Sequence, residues 1–291
     1  MVMSSEQHTR VWFITGCSSG FGRALAETVL ERGETVVLTA RNPQQIKDLA
    51  ASFPDRTLAV QLDVTKPEEV AEAVKKAITN FGRIDVLVNN AGYGVLGAVE
   101  EVSDKLVRLQ FETNFFGVLE MLRAVLPYMR KQHTGHIINI SSIAGFAAGR
   151  SDGIYCSSKF ALEGISEALA HEVSPLGIKV TLIEPGSFHT DFVTRSLVVT
   201  DTRIKDYDTF TGGLLEQVQS VRDMKVREQG DPKKAALAIL KVVDSENPPF
   251  RLALGADAVN GVYGKLEFVK KELDAWKDVS MSTAFDEVAS A

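Results

Sequence analysis

The chain has 291 residues, 45% hydrophobic and 24% charged, with a formal net charge of −6; this is the balance of an ordinary folded protein, and the length suits one doubly wound α/β domain over residues 1–291. The 32 Lys and Arg are scattered rather than clustered, which excludes the basic footprint of a nucleic-acid binder, and no apolar run approaches the ~20 residues that span a bilayer. Residues 1–10 lack the apolar core of a signal peptide, while Cys17, Cys156 and 5 His at unrelated spacings offer no zinc pattern, so a reduced cytoplasmic protein with no metal and no membrane partner is expected.

The first apolar run, residues 10–15, reads as a strand and leads into Thr15-Gly16-Cys17-Ser18-Ser19-Gly20-Phe21-Gly22, with a helix beginning near Arg23. Strand, glycine turn and helix together cradle a pyrophosphate: bare backbone lets the phosphates approach, and the helix N-terminus supplies N–H donors. The spacing is GxxxGxG rather than GxGxxG, and taken alone a simple βα turn accounts for it equally well. A second strand, 35–40, ends in Ala40-Arg41 where many dinucleotide sites carry an acid for the ribose 2′-hydroxyl. Arg41 can instead clamp a 2′-phosphate, which favours NADP; the plain alternative is an exposed strand-end arginine. The third strand, 58–64, ends in Asp63-Val64, where Asp63 can accept from an adenine amino group or start the next helix.

Helix 67–81 puts Val70, Val74, Ala77 and Ile78 on one face, and strand 84–89 runs into Asn89-Asn90-Ala91-Gly92. Helix 103–131 opens at a Ser103 N-cap and carries Asn114 in its interior, either as a satisfied core amide or as a functional group. Strand 135–141 is followed by Ser142, with Ser141 as its near rival for a substrate hydrogen bond. Tyr155 and Lys159 lie four apart at the start of helix 155–174 and so share a face, where an ammonium beside the phenol should favour phenolate. Strand 179–184 precedes Pro185-Gly186-Ser187-Phe188-His189-Thr190. The polar stretch 191–230 has no strong strand signal and suits a lid; strand 251–254 and helix 259–277 follow, in a C-terminal extension 256–291 that frays at its end. This β-α-β-α rhythm predicts a single Rossmann-type parallel sheet of about seven strands, order 3-2-1-4-5-6-7, with helices on both faces and a ligand at the strands' carboxyl ends.

In this order and spacing, the glycine turn, Asn89 to Gly92, Asn114, Ser142, the Tyr155/Lys159 pair and Pro185-Gly186 followed by Thr190 resemble the motifs of the short-chain dehydrogenase/reductase family. They span residues 15–190, and the strand pattern carries the match to about 255. The resemblance implies an enzyme that transfers hydride between NADP(H) and a carbonyl or secondary alcohol. It implies Tyr155 as general acid/base, Lys159 on the nicotinamide ribose, Ser142 on the substrate oxygen, Asn114 anchoring a water toward Lys159, and Thr190 on the carboxamide. Cofactor contacts are expected from Gly16, Ser18, Ser19, Gly20, Phe21, Gly22, Arg41, Asp63, Val64, Asn90, Ala91, Gly92, Tyr155, Lys159, Pro185, Gly186, Phe188 and Thr190. Ser19 departs from the basic residue that some NADP-preferring members carry there.

Tyr93, Val95, Phe146, Phe188 and Phe192 are expected to line an apolar substrate pocket suited to a hydrophobic ketone or ring alcohol. Relatives pair the helices equivalent to 103–131 and 155–174 across a two-fold axis, which implies a dimer or tetramer. Two rivals stand beside this reading. One is a non-catalytic NADP-binding sensor or scaffold; the other is a serine hydrolase using Gly149-Arg150-Ser151-Asp152-Gly153 with His171 or His189. A nucleophile elbow requires a strand immediately before its serine, and residues 142–148 intervene here.

Overall fold

Val11–Ile14 forms strand β1, buried along its whole length as the middle of a parallel sheet requires. The chain continues through α1 (Gly20–Glu31), β2 (Thr35–Ala40), α2 (Lys47–Ser52), β3 (Thr57–Gln61), α3 (Pro67–Phe81), β4 (Val86–Asn89) and β5 (Gly94–Leu96). Helix α4 (Asp104–Phe111) passes through a π-helical turn, Glu112–Phe116, into α5 (Gly117–Gln132), followed by β6 (Gly135–Ile140), α6 (Gly153–Val173) and β7 (Ile178–Pro185). Then come α7 (Phe192–Arg195), β8 (Leu197–Val199), α8 (Asp208–Arg222), α9 (Pro232–Asp244), β9 (Arg251–Leu254) and α10 (Ala256–Met281). This computed structural model describes residues 9–223 and 230–285; residues 1–8, part of the expected lid (224–229) and the end of the expected extension (286–291) lie outside the described residues.

The main sheet is parallel throughout, in the order β3-β2-β1-β4-β6-β7-β9. This is the expected order, with β5 and β8 set apart as a two-stranded parallel sheet of their own. Side chains alternate across β1: Val11 and Phe13 enter one apolar layer with Val74, Met121 and Leu162, while Trp12 and Ile14 enter the other with Leu25, Val29 and Ile239. With helices packed on both faces, the open edge of each strand end is left for a ligand. The strand order reverses between β1 and β4, so the crevice opens at their carboxyl ends.

Four local features differ from expectation. The third strand stops at Gln61 because Asp63 turns the chain, its Oδ1 accepting from Thr65 N at 3.0 Å. The run 103–131 is not one regular helix, since the π turn at Asn114 widens the backbone where that amide bonds Tyr93. The tail helix is longer than 259–277 at both ends. Finally, the expected lid does contain a strand, β8: three residues give no readable alternation alone, but Gly94–Leu96 provides an edge for them to pair with. Among the described residues no helix is long and apolar enough to cross a membrane.

Candidate active site

The carboxyl ends of the sheet strands open onto one cleft of about 330 Å³, lined from the glycine turn at one end to Tyr155, Ser142 and Lys159 at the other. At the first end, Gly16 has φ 73°, a left-handed conformation that side chains resist, and a Cβ there would sit 3.1 Å from Ala91 Cα. A Cβ on Gly22 would strike Asn90 Nδ2 and the Gly16 carbonyl oxygen, so Gly22 supports the turn from behind and does not line the cleft. Asn90 Nδ2 donates to the carbonyls of Thr15 (2.8 Å) and Gly16 (3.1 Å), and Thr15 Oγ1 accepts from Asn90 N and Ala91 N at 2.9 Å each. Thr15, absent from the expected site, therefore ties the ends of β1 and β4 together. Its role becomes visible only once those strands are known to be neighbours.

Ser19 N-caps α1 without a side-chain capping bond, and no acid stands in the helix's first turn. First-turn N–H groups at Gly20 and Phe21 are thus left beside the cleft with the positive end of the helix dipole. Ser18, Arg41, Asp63, Val64, Ala91 and Gly92 also line it, and the exposed Arg41 has no ion-pair partner among the described residues. Bare glycine backbone, open N–H donors and an unpaired guanidinium suit a phosphate-bearing dinucleotide. Asp63 lines the cleft, but it does not cap the next helix, whose N-cap is Lys66; its Oδ1 instead holds a turn, accepting from Thr65 Oγ1 at 2.8 Å.

At the other end, Ser142 and Tyr155 line the same stretch of cleft; the Ser142 hydroxyl donates to the Pro185 carbonyl at 3.4 Å, accepts from Ala144 N at 3.1 Å and acts on the Tyr155 phenol to favour its ionised form. Lys159 is buried, donates to the Ile140 carbonyl at 2.8 Å and lies 5.8 Å from the Tyr155 ring centre. Burial pushes the Tyr155 phenol up to about 12, with the Ser142 hydroxyl opposing, and pulls the Lys159 ammonium down to about 8, with Glu163 opposing. This reverses the expected shift of the phenol. The ammonium is turned to a carbonyl, and loss of water outweighs its field. A phenol held neutral at pH 7 is a proton donor, and the serine hydroxyl beside it can hold an oxygen that gains charge.

Asn114 is buried and does not line the cleft: Oδ1 accepts from Tyr93 N (3.1 Å), and Nδ2 donates to Tyr93 O (2.9 Å) and Ser158 Oγ (3.2 Å). It is a satisfied core amide, separated from Lys159 by Gly92, where a Cβ would lie 3.2 Å from Asn114 Oδ1 and 3.8 Å from Lys159 Nζ. Pro185, Gly186, Phe188 and Thr190 form the β7 side of the cleft. Of the expected apolar residues, Tyr93, Phe188 and Phe192 line it, with the Phe192 ring 5.9 Å from that of Tyr155 and the Phe188 ring 5.0 Å from that of Phe21.

Val95 and Phe146 do not. Val95 is fully buried within the β5–β8 sheet, and Phe146 lies just past the tight turn Ile143–Gly145. Lining residues that were not expected are Ala40, Leu62, Thr113, Ile140, Ser187 and Ser196, and Ser141, the rival of Ser142, lines it as well. Most extend a strand end or a recognised motif by one residue; Ser196 carries no sequence signal. Ser151 follows a turn and loop rather than a strand, and its buried Oγ meets Thr211 Oγ1 at 3.0 Å; His171 and His189 are both exposed and neither bonds Ser151 or lines the cleft, so no hydrolase constellation forms among the described residues.

A family model described as short chain dehydrogenase matches residues 10–197. A 3-ketodihydrosphingosine reductase of Bacteroides thetaiotaomicron is 44% identical over 248 residues, 84% of this chain and 88% of that protein. The crystal structure of a short-chain dehydrogenase from Streptomyces avermitilis superposes with a TM-score of 0.89 at 42% identity, covering 95% of this chain and all of that one. A Burkholderia phymatum short chain dehydrogenase/reductase, solved in complex with NAD, has a TM-score of 0.77 at 25% identity, covering 91% of this chain and 95% of that one.

Proposed function

The chain belongs to the short-chain dehydrogenase family and is an oxidoreductase, and on that footing we propose that it interconverts hydrophobic ketones and secondary or ring alcohols with NADP(H), reduction being the favoured direction. The observation that carries this reading is the meeting of the Tyr155 phenol, the Ser142 hydroxyl and the Lys159 ammonium at one end of a cleft whose other end is a glycine turn. When bound, the nicotinamide cofactor supplies or takes up hydride at the substrate carbon. Ser142 holds the substrate oxygen, Tyr155 gives it a proton in reduction or takes one in oxidation, and Lys159 keeps a positive charge beside the phenol. Asn114 acts at one remove, by fixing the Tyr93 backbone and Ser158 beneath the pair.

Arg41 supports the preference for NADP, as a cation at the end of β2 with no ion-pair partner among the described residues. Tyr93, Phe188 and Phe192 support an apolar substrate, and the relative named for 3-ketodihydrosphingosine supports a lipid-like ketone among the compounds to try. Segment 191–230 is proposed as the substrate lid, since Phe192 and Ser196 reach the cleft from it. Exposed Leu109, Phe116, Tyr128 and Phe160 on α4 to α6 and the π turn favour a homodimer or tetramer through those helices. The unpaired, buried Cys17 and Cys156 favour a reducing cytoplasm.

The test is a carbonyl panel assayed with NADPH and with NADH: long-chain 3-keto lipids, aryl and ring ketones, and short 2-keto acids. The proposal expects NADPH-dependent turnover with kcat/KM highest for the apolar ketones. Turnover of the keto acids alone would reject the apolar substrate class, and cofactor binding without turnover of any carbonyl would leave a cofactor-binding sensor.

A further inference from the structure

The segments that carry the candidate site meet a second time behind it. Glu163 stands one helical turn after Lys159 on α6, Glu184 immediately precedes Pro185 on β7, and Ser141 precedes Ser142 after β6. Glu163 and Glu184 are only 5% and 1% exposed and share one guanidinium: Arg251 Nε of β9 is 3.2 Å from Glu163 Oε2 and 3.2 Å from Glu184 Oε1. The same arginine also reaches the exposed Glu167 at 3.1 Å, so its charge is divided among three carboxyl groups. Two buried carboxylates set against a fraction of one cation are costly unless one of them is neutral.

The oxygens point the same way. With both groups ionised, Glu163 Oε1, Glu184 Oε1 and Ser141 Oγ are buried with no hydrogen-bond partner among the described residues. Both carboxyl groups close on the same Arg251 Nε at 3.2 Å, and Ser141 Oγ and Glu163 Oε1 both face Gly145, where a Cβ would lie 2.6 Å and 3.1 Å from them. Rotation of the serine hydroxyl can serve one carboxyl oxygen at most, and two buried carboxyls drawn to one N–H are relieved only when one of them carries a proton. Burial lifts Glu163 to about 7 and raises Glu184 as well, in both cases against the pull of Arg251. Lys159 is faced by Glu163 on its own helix, the Ile140 carbonyl of β6 and the Tyr155 phenol, with neutral Asn114 across Gly92; Glu163 is the anion acting on it.

We propose that Glu163 and Glu184 share one proton behind the candidate active site, and that Glu163 is a positioning residue whose part of the pair's negative charge holds Lys159 in its charged form. The second half rests on the reductase reading above. The pair keeps a single negative charge in either amide variant, and only its location changes. Glu163→Gln confines the charge to Glu184, beyond Glu163 from Lys159, while Glu184→Gln confines it to Glu163, one turn from the ammonium.

The sign for activity follows from Lys159. It is charged below its value near 8 and loses charge as pH rises through it, so reduction should fall on that alkaline limb. Profiles of kcat/KM against pH should therefore place the limb about one unit lower in Glu163→Gln and higher in Glu184→Gln than in the parent chain. A merely structural pair would not move it in opposite directions from two near-isosteric changes. Infrared difference spectra of the full-length protein at neutral pH, parent minus each variant, should show a protonated-carboxyl C=O band. No such band in either spectrum would overturn the shared proton, and limbs that coincide or move together would overturn the positioning role. The infrared readout needs no turnover, so a protein that shows the band and reduces no carbonyl fails on the reaction and not on the pair.

Discussion

The nucleotide end of the cleft and the segment 191–223 on its other side hold their shapes by different means. At the nucleotide end the positions are set by backbone: adjacent parallel strands, a left-handed Gly16, a Gly22 with no room for a side chain, and Thr15 and Asn90 bonding main-chain groups. Segment 191–223 pairs with the rest of the chain through only three strand residues and depends on a few side chains. The almost wholly buried Glu101 accepts from Ala98 N and Ile204 N at 2.8 Å each, and its carbonyl accepts from Thr200 Oγ1 at 2.9 Å. Thr211 meets Ser151 at 3.0 Å, and Arg222 bonds the carbonyls of Val193 (3.0 Å) and Leu197 (2.8 Å). A rigid half with a separately latched half is how an enzyme keeps one ligand site constant while another opens and closes.

The sharpest test of that division is at Tyr155, where the two regions meet through the Phe192 ring. Tyr155→Phe removes one hydroxyl and leaves the glycine turn, Arg41 and the ring packing in place. kcat should fall about 10²- to 10⁴-fold, the usual weight of a positioned proton donor, while NADPH titrates the protein as before. Near-normal kcat would remove the phenol from the reaction. Loss of NADPH binding would show that the two ends are not independent.

A smaller effect should separate the halves directly. Glu101→Ala strands the Ala98 and Ile204 N–H groups at about 1 to 3 kcal/mol each and frees segment 191–223 without touching the cleft. We expect kcat/KM for an apolar ketone to drop about tenfold to a hundredfold, with the dissociation constant of NADPH unchanged. Equal losses for ketone and cofactor would mean that Glu101 supports the whole domain rather than the lid.

The same contrast explains what could be read from residues alone. Continuous apolar runs such as Val11–Ile14 and Val86–Asn89 announce buried parallel strands, and the strand order follows from handedness, so the sheet and the glycine turn were legible in advance. Ser142, Tyr155 and Lys159, the trio proposed as catalytic, were marked out by their order and spacing through the resemblance to the family. Features made by contacts between distant segments were not: β8 needs the edge of β5, Thr15 needs the end of β4, and the π turn needs the Tyr93 backbone beneath Asn114. Val95 was misplaced for the same reason, since only the β5–β8 pairing shows it to be buried. The direction of the Tyr155 shift also lay out of reach, because it depends on how much water the fold removes and on where Lys159 points.

The smallest expected effect lies at Arg41, a residue of the nucleotide end whose proposed role belongs to a charged side chain rather than to backbone. It is exposed at the end of β2, lines the cleft and has no ion-pair partner among the described residues, so removing it breaks no contact that holds the fold. A 2′-phosphate beside it would gain charge-assisted hydrogen bonds, which solvent at an exposed site weakens. About 1.4 kcal/mol of lost contact corresponds to a tenfold change, so Arg41→Ala should raise KM for NADPH about tenfold and leave KM for NADH and the melting temperature where they were. Arg41→Asp should go further in the same direction, because a carboxylate repels the phosphate instead of merely failing to bind it. The discriminating quantity is the ratio of kcat/KM for the two cofactors. If that ratio does not move in either variant, Arg41 is an ordinary strand-end arginine and the preference for NADP has no anchor at β2.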